Sequence, residues 1–171
     1  MNALNLDKLN LFAPYSVWCV EEGVYGFKTD YDIFFRIYFY PDETIWKNGA
    51  YEFGIINDSQ KASPNDSKVR DTVFHLIENF FENNPDILLY QCETGDNKQS
   101  FRDRLFLRWI KSYEDTDRFF VKVSMVVAEE IEHYAALIVQ RDNPHFESIV
   151  SDFDSFMGFF QNKPNTLPNT K

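Results

Sequence analysis

From Tyr15 to Ile56, apolar and polar residues alternate in short runs separated by turn-forming residues. Four strands are predicted there: Ser16 to Glu22, Val24 to Thr29, Ile33 to Tyr40 and Ala50 to Ile56. The breaks are Glu22-Gly23, Asp30-Tyr31-Asp32, Pro41-Asp42-Glu43 and Asn48-Gly49, so the strands read as an antiparallel meander. In the third strand Ile33, Phe35, Ile37 and Phe39 share one face, while Phe34, Tyr38 and Tyr40 share the other. Both faces are apolar, which predicts a central strand. Only Arg36 interrupts it, and a charge in that position calls for a partner; Glu52, on the neighbouring strand, is the one expected.

After the polar loop Asn57 to Ala62 the period changes to that of a helix. Ser63 reads as the N-cap, Pro64 as the first helical residue and Asp66 as part of the first turn. Val69, Val73, Leu76, Ile77 and Phe80 then recur at helical spacing until Asn83-Asn84-Pro85 ends the run. Ile87 to Cys92 suits a buried strand, with parallel pairing open to it because helical segments flank it. A second helix is predicted over Lys98 to Ser112. Strands over Phe119 to Val126 and Tyr134 to Gln140 follow, joined by the acidic turn Ala128-Glu129-Glu130-Ile131-Glu132. Asn143-Pro144 opens a third helix whose apolar arc holds Phe146, Ile149, Val150, Phe153, Phe156, Met157 and Phe160, with Phe159 outside it.

The expected architecture is therefore α+β: a single domain over residues 15–161, with a mostly antiparallel twisted sheet of about seven strands and three helices in the order ββββαβαββα. Residues 1–14 form an N-terminal extension, and the tail 162–171, without apolar period, is expected to be disordered. With 171 residues, 18 Phe, 9 Tyr and 3 Trp, the chain has ample material for one core.

Charge narrows the partners. The chain carries 27 Asp and Glu against 17 Lys and Arg, a formal charge of -10, which repels a phosphate backbone and argues against nucleic acid. A protein partner is expected instead, with a basic surface the natural complement. Met1 to Pro14 has no basic segment leading into an apolar run, and no stretch of 18 apolar residues occurs, so a cytoplasmic protein without a membrane span is expected. Cys19 and Cys92 each sit in an apolar run and read as small buried residues of a reducing compartment, although a disulfide between them stays open.

Candidate chemistry is sparse. His75, His133 and His145 lie far apart, no Cys or His pair has metal-ligand spacing, no nucleophile elbow is present, and six glycines assemble no phosphate loop. No catalytic residue, metal or cofactor is therefore assigned. Arg102 does stand out: on the predicted helix it shares the apolar face of Leu105, Phe106 and Trp109. Such a guanidinium either pairs with a carboxylate of its own fold, Glu93 or Glu52, or joins Lys98 and the backbone near Asn97 in an anion site. Glu93, Asn97, Lys98 and Arg102 are thus the candidate ligand site. Arg104, Arg108 and Lys111 form an outward stripe, and with Glu129, Glu130 and Glu132 they are the candidate partner contacts.

Two resemblances add to this reading. The segments Tyr25-Gly26-Phe27-Lys28-Thr29-Asp30, Asp32-Ile33-Phe34-Phe35-Arg36-Ile37-Tyr38-Phe39, Ile87-Leu88-Leu89-Tyr90-Gln91-Cys92 and Arg102 to Trp109 resemble a family of short bacterial proteins of unknown function, over most of Tyr15 to Phe160. That resemblance implies a small intracellular protein and no activity. The element order is also similar to the central part of the Gcn5-related N-acetyltransferases, with Asn97 to Phe106 in the place of their Asn-containing helix. That family holds the pyrophosphate of acetyl-CoA on a Gly-rich turn, whereas Asn57 to Pro64 contains no glycine and a proline that removes a donor. The expected function is a non-enzymatic protein-binding or regulatory module, such as an antitoxin or immunity factor. The alternative is a divergent acetyltransferase-like ligand-binding domain with its anion site at Arg102. A homo-oligomer held by Phe159 is compatible with either.

Overall fold

The structure, a computed structural model, describes residues 1–43, 46, 49–93, 108–110, 117–128 and 131–161. Its strands are β1 (Val17–Glu21), β2 (Val24–Lys28), β3 (Phe34–Asp42), β4 (Ala50–Asn57), β5 (Ile87–Glu93), β6 (Phe119–Ala128) and β7 (Ile131–Gln140). Helices α1 (Leu6–Leu9), α2 (Ser67–Asn83) and α3 (Phe146–Gln161) accompany them. The class is α+β, as expected, and the strands follow the order β1-β2-β3-β4-β5-β7-β6 in one seven-stranded sheet. The chain divides into two compact units at Leu89.

In the first unit β1 to β4 form the antiparallel meander, with Phe27 opposite Phe35, Ile37 opposite Ile55 and Phe39 opposite Phe53. Alternation then sorts the side chains. Val17, Tyr25, Phe27, Phe35, Ile37, Phe39 and Phe53 are buried, and so are Val69, Val73, Leu76, Ile77 and Phe80 on α2. Phe39 and Phe80 stack with centroids 5.0 Å apart, and Tyr51 meets Phe80 edge-on at 5.5 Å. Burying side chains of this size stabilises by roughly 2–3 kcal/mol each, so the aromatic layer between sheet and helix dominates the unit.

The start of α2 differs from expectation. Asp66, not Ser63, is the N-cap, its carboxylate accepting from the Lys68 N–H at 3.0 Å, and the helix begins at Ser67 rather than Pro64. A tertiary contact selects that cap, because the buried Tyr15 hydroxyl donates to the other Asp66 oxygen at 2.6 Å. Lys68 in turn donates to Asp30 at 2.6 Å and holds that carboxyl below its usual range. Burial first, and then the bond to Asp66, push the Tyr15 hydroxyl up from 10.0 to about 12. A raised folded value means a contribution complete below pH 10.0 and lost as the pH climbs through about 12. Tyr15→Phe is accordingly expected to cost about 1–2 kcal/mol at neutral pH. It should also make the alkaline fall in stability shallower; urea midpoints measured across that range check both, and an unchanged alkaline slope would refute the linkage.

Residues ahead of β1 are tied down by asparagines. Asn5 caps α1, the four-residue helix that sequence periodicity missed, and the buried Asn79 and Asn84 accept the Asn5 and Asn2 N–H groups at 2.8 and 2.7 Å. The Asn10 side chain bonds both backbone groups of Val17, donating to its carbonyl at 2.8 Å and accepting from its N–H at 2.7 Å.

At the other side of the meander the Ile87 N–H donates to the Gly49 carbonyl at 2.9 Å. The starts of β4 and β5 therefore lie side by side, and since these strands are neighbours they run parallel, with α2 as the crossover.

The second unit contains the β6–β7 hairpin, in register from Phe119 opposite Gln140 to Ala128 opposite Ile131. The strands run further than predicted: Ala128, Ile131 and Glu132, expected in the turn, belong to the ladder, with Val127 opposite Glu132 and Ala128 opposite Ile131. Ile149, Phe153 and Met157 are the buried stripe of α3, and Phe159 outside it is 66% exposed, as its position predicts. Phe120 meets Phe146 edge-on at 5.1 Å, and Lys122 donates to Asp154 at 2.7 Å.

Candidate functional site

The opposite face of the meander is unlike its core face. Trp18 and Val20 on β1, Phe34, Arg36, Tyr38 and Tyr40 on β3, and Glu52, Gly54 and Ile56 on β4 alternate with the buried positions and so point away from α2. β3 lies inside the sheet between β2 and β4, as its two apolar faces predicted, but the face turned from α2 is open: Trp18 is 43% exposed and Tyr40 46%, with Val20 and Ile56 also exposed. Large exposed apolar patches recur at interaction sites, which makes this face the candidate.

Its order comes from the local sequence. Trp18 and Phe34 stack at 5.6 Å with planes 6° apart, and Tyr38 and Tyr40 at 4.9 Å with planes 23° apart. Glycines lie beneath the rings: a Cβ on Gly26 would stand 2.7 Å from the Phe34 ring, and one on Gly54 would stand 2.2 Å from that of Tyr38. Small residues at these two points let the rings lie down on the sheet, where they are held in place. Tyr38 donates its hydroxyl to Glu52 at 3.0 Å, and burial together with Glu52 raises its pKa well above the usual range.

Arg36 sits among these rings, but its partner is not Glu52. Its Nε and Nη2 donate to the two Asp58 oxygens, the second bond at 2.6 Å. The register explains the correction: Glu52 stands opposite Tyr40, Arg36 stands opposite Ile56, and Asp58 follows at once beyond β4. The bidentate pair holds the guanidinium firmly in its charged form.

The sites picked out from sequence fall elsewhere. Asn97, Lys98, Arg102, Arg104, Lys111, Glu129 and Glu130 lie outside the described residues, and for Glu93 and Glu132 only the strand backbone is described. Of the helix predicted over Lys98 to Ser112, the described residues Arg108 to Ile110 are helical, with Arg108 exposed and Ile110 buried. Cys19 corrects an expectation: it is exposed, because β1 is the edge strand and only Val17 on it is buried. The side chain of Cys92 lies outside the described residues. At the start of α2, where acetyltransferases hold pyrophosphate, Asp66 fills the helix end with a carboxylate that opposes an anion there. Among the described residues no group of His, Cys, Asp or Glu could hold a metal ion, and no helix is long and apolar enough to cross a membrane.

Comparison with known proteins returns a family of unknown function (DUF6169), matched over residues 65–155, which run from the start of α2 into α3. No curated protein and no solved structure matches the chain. The open aromatic face, residues 18–56, precedes the matched segment.

Proposed function

The chain belongs to this family of unknown function, and since membership brings no activity with it, we propose from the chain's own surface that it is a non-enzymatic protein-binding module whose open sheet face takes a basic protein partner. The observation that carries this reading is the ordered, exposed aromatic face of the meander. Trp, Tyr and Arg dominate the binding energy of protein interfaces because they bury large, stiff surfaces, and Trp18, Tyr38, Tyr40 and Arg36 lie together here.

Charge selects the class of partner. Aromatic sheet faces also suit stacked nucleic-acid bases, but such faces carry excess positive charge. Here Arg36 is committed to Asp58 and Lys28 to Asp32, with Glu52 beside the rings. Residues 1–89 hold fourteen Asp and Glu against seven Lys and Arg. That balance disfavours a phosphate backbone, and it disfavours a second copy of the same acidic unit. A protein with an apolar patch rimmed by Lys and Arg is the complement.

The test is affinity capture from native cells with the tagged wild-type chain, Trp18→Ala and Phe12→Ala. Phe12 is exposed near His75 of α2, and serves as a control away from the face. A basic protein retained at stoichiometry by wild type and Phe12→Ala is expected to bind Trp18→Ala weaker by about 2 kcal/mol, roughly thirtyfold. A partner indifferent to Trp18→Ala, or no partner at all, would overturn the reading.

A further inference from the structure

Within the open face one arrangement is more specific than the rest. Glu52 and Tyr40 stand directly opposite one another on β4 and β3, and Tyr38 lies across Gly54 with its hydroxyl on one Glu52 oxygen at 3.0 Å. Tyr40 stacks on Tyr38 with one ring face and is 46% exposed. Among the described residues no Lys or Arg pairs with Glu52, and Arg36, on the same face of the neighbouring strand, is held by Asp58. The result is a positioned carboxylate beside an accessible aromatic ring.

We propose that Glu52, Tyr38 and Tyr40 form a subsite for one cationic side chain, a Lys or Arg, of the protein partner. This rests on the reading of the open face as a protein-binding surface. A carboxylate and a ring quadrupole attract the same kind of ligand from adjacent directions: the cation pairs with Glu52 while lying over the outer face of Tyr40. Tyr38 acts as the positioning residue, fixing the carboxylate without contacting the ligand's charge. Anions are rejected by the same groups.

The experiment uses the intact chain with N-acetyl-arginine amide and N-acetyl-lysine amide as probes and N-acetyl-norleucine amide as the uncharged control. Ring signals of Tyr38 and Tyr40 are followed by NMR. Saturable shifts at both rings are expected with the cationic probes and not with norleucine, weakening as salt is raised. Glu52→Gln keeps the size and the hydrogen-bond acceptor but removes the charge, and should weaken probe binding about five- to tenfold. Tyr40→Leu, a second variant at a solvent-facing position, should weaken it too. Equal shifts with norleucine, non-saturable shifts, or an affinity unchanged by Glu52→Gln would overturn the subsite. If the partner is captured in a Trp18-dependent manner while the probes fail, the subsite falls and the binding face stands.

Discussion

Phe80→Ala is expected to destabilise the protein by about 3–5 kcal/mol, the largest effect of any single truncation considered for this chain. Phe80 is fully buried, stacked on Phe39 at 5.0 Å and met edge-on by Tyr51 at 5.5 Å and Phe81 at 5.3 Å. Removing its ring takes away transfer energy and leaves a cavity walled by other rings, which are too stiff to collapse into it. Against a typical total of 5–15 kcal/mol, such a loss brings the fold close to its limit. Urea unfolding reads it as a lower midpoint at unchanged slope. The exposed Phe12, truncated in the same way, should shift stability by no more than about 0.5 kcal/mol. A Phe80→Ala loss under about 1 kcal/mol would mean that the aromatic layer is not the principal support of the first unit.

Gly23→Val is expected to be nearly as damaging, at roughly 2–4 kcal/mol, for a reason unrelated to burial. Gly23 closes the β1–β2 turn at φ +75, a conformation that a β-branched residue adopts only under strain. A Cβ there would also stand 2.8 Å from the Phe39 carbonyl oxygen, and this is backbone that cannot swing aside. The same turn donates no side chain but supplies the Gly23 carbonyl, which accepts from the Phe39 N–H at 2.8 Å. Gly23→Asn separates the two costs, since Asn tolerates positive φ but still brings the Cβ. Its loss should fall between those of wild type and Val. Equal stability of Val and Asn variants would show that the close approach alone decides the outcome.

The strands were legible in the sequence wherever alternation was regular and glycine or proline marked the ends. The third predicted strand shows both the strength and the limit of that signal. Period two correctly sorted Phe35, Ile37 and Phe39 from Phe34, Tyr38 and Tyr40, but aromatic residues on an open face are as apolar as those in a core. Hydropathy therefore placed this strand inside the sheet, where it lies, but did not distinguish its open face from its covered one. Pairing was harder still. Arg36 and Glu52 are on adjacent strands, yet the register of β3 and β4 puts Glu52 opposite Tyr40, and Arg36 pairs with Asp58. The cap of α2 turned on a long-range contact, Tyr15 with Asp66, that no local window contains. Charge drew attention to Arg102 because it interrupts an apolar helix face. The Trp18, Tyr38 and Tyr40 surface carried no comparable irregularity, and only the strand register brings its members together.

The amide of Asn10 has a wider consequence. By bonding to both backbone groups of Val17 it stands where the next strand of a growing sheet would begin, a counterfeit neighbour made from a single side chain. The register break between Cys19 and Glu21 spoils the rest of that border for regular pairing. An apolar edge bearing Trp18 and Val20 would otherwise be a template for fibrous self-assembly. With this rim disarmed, β1 is a poor template for a further strand, and a partner of the open face is expected to come from above the sheet rather than extend it past β1.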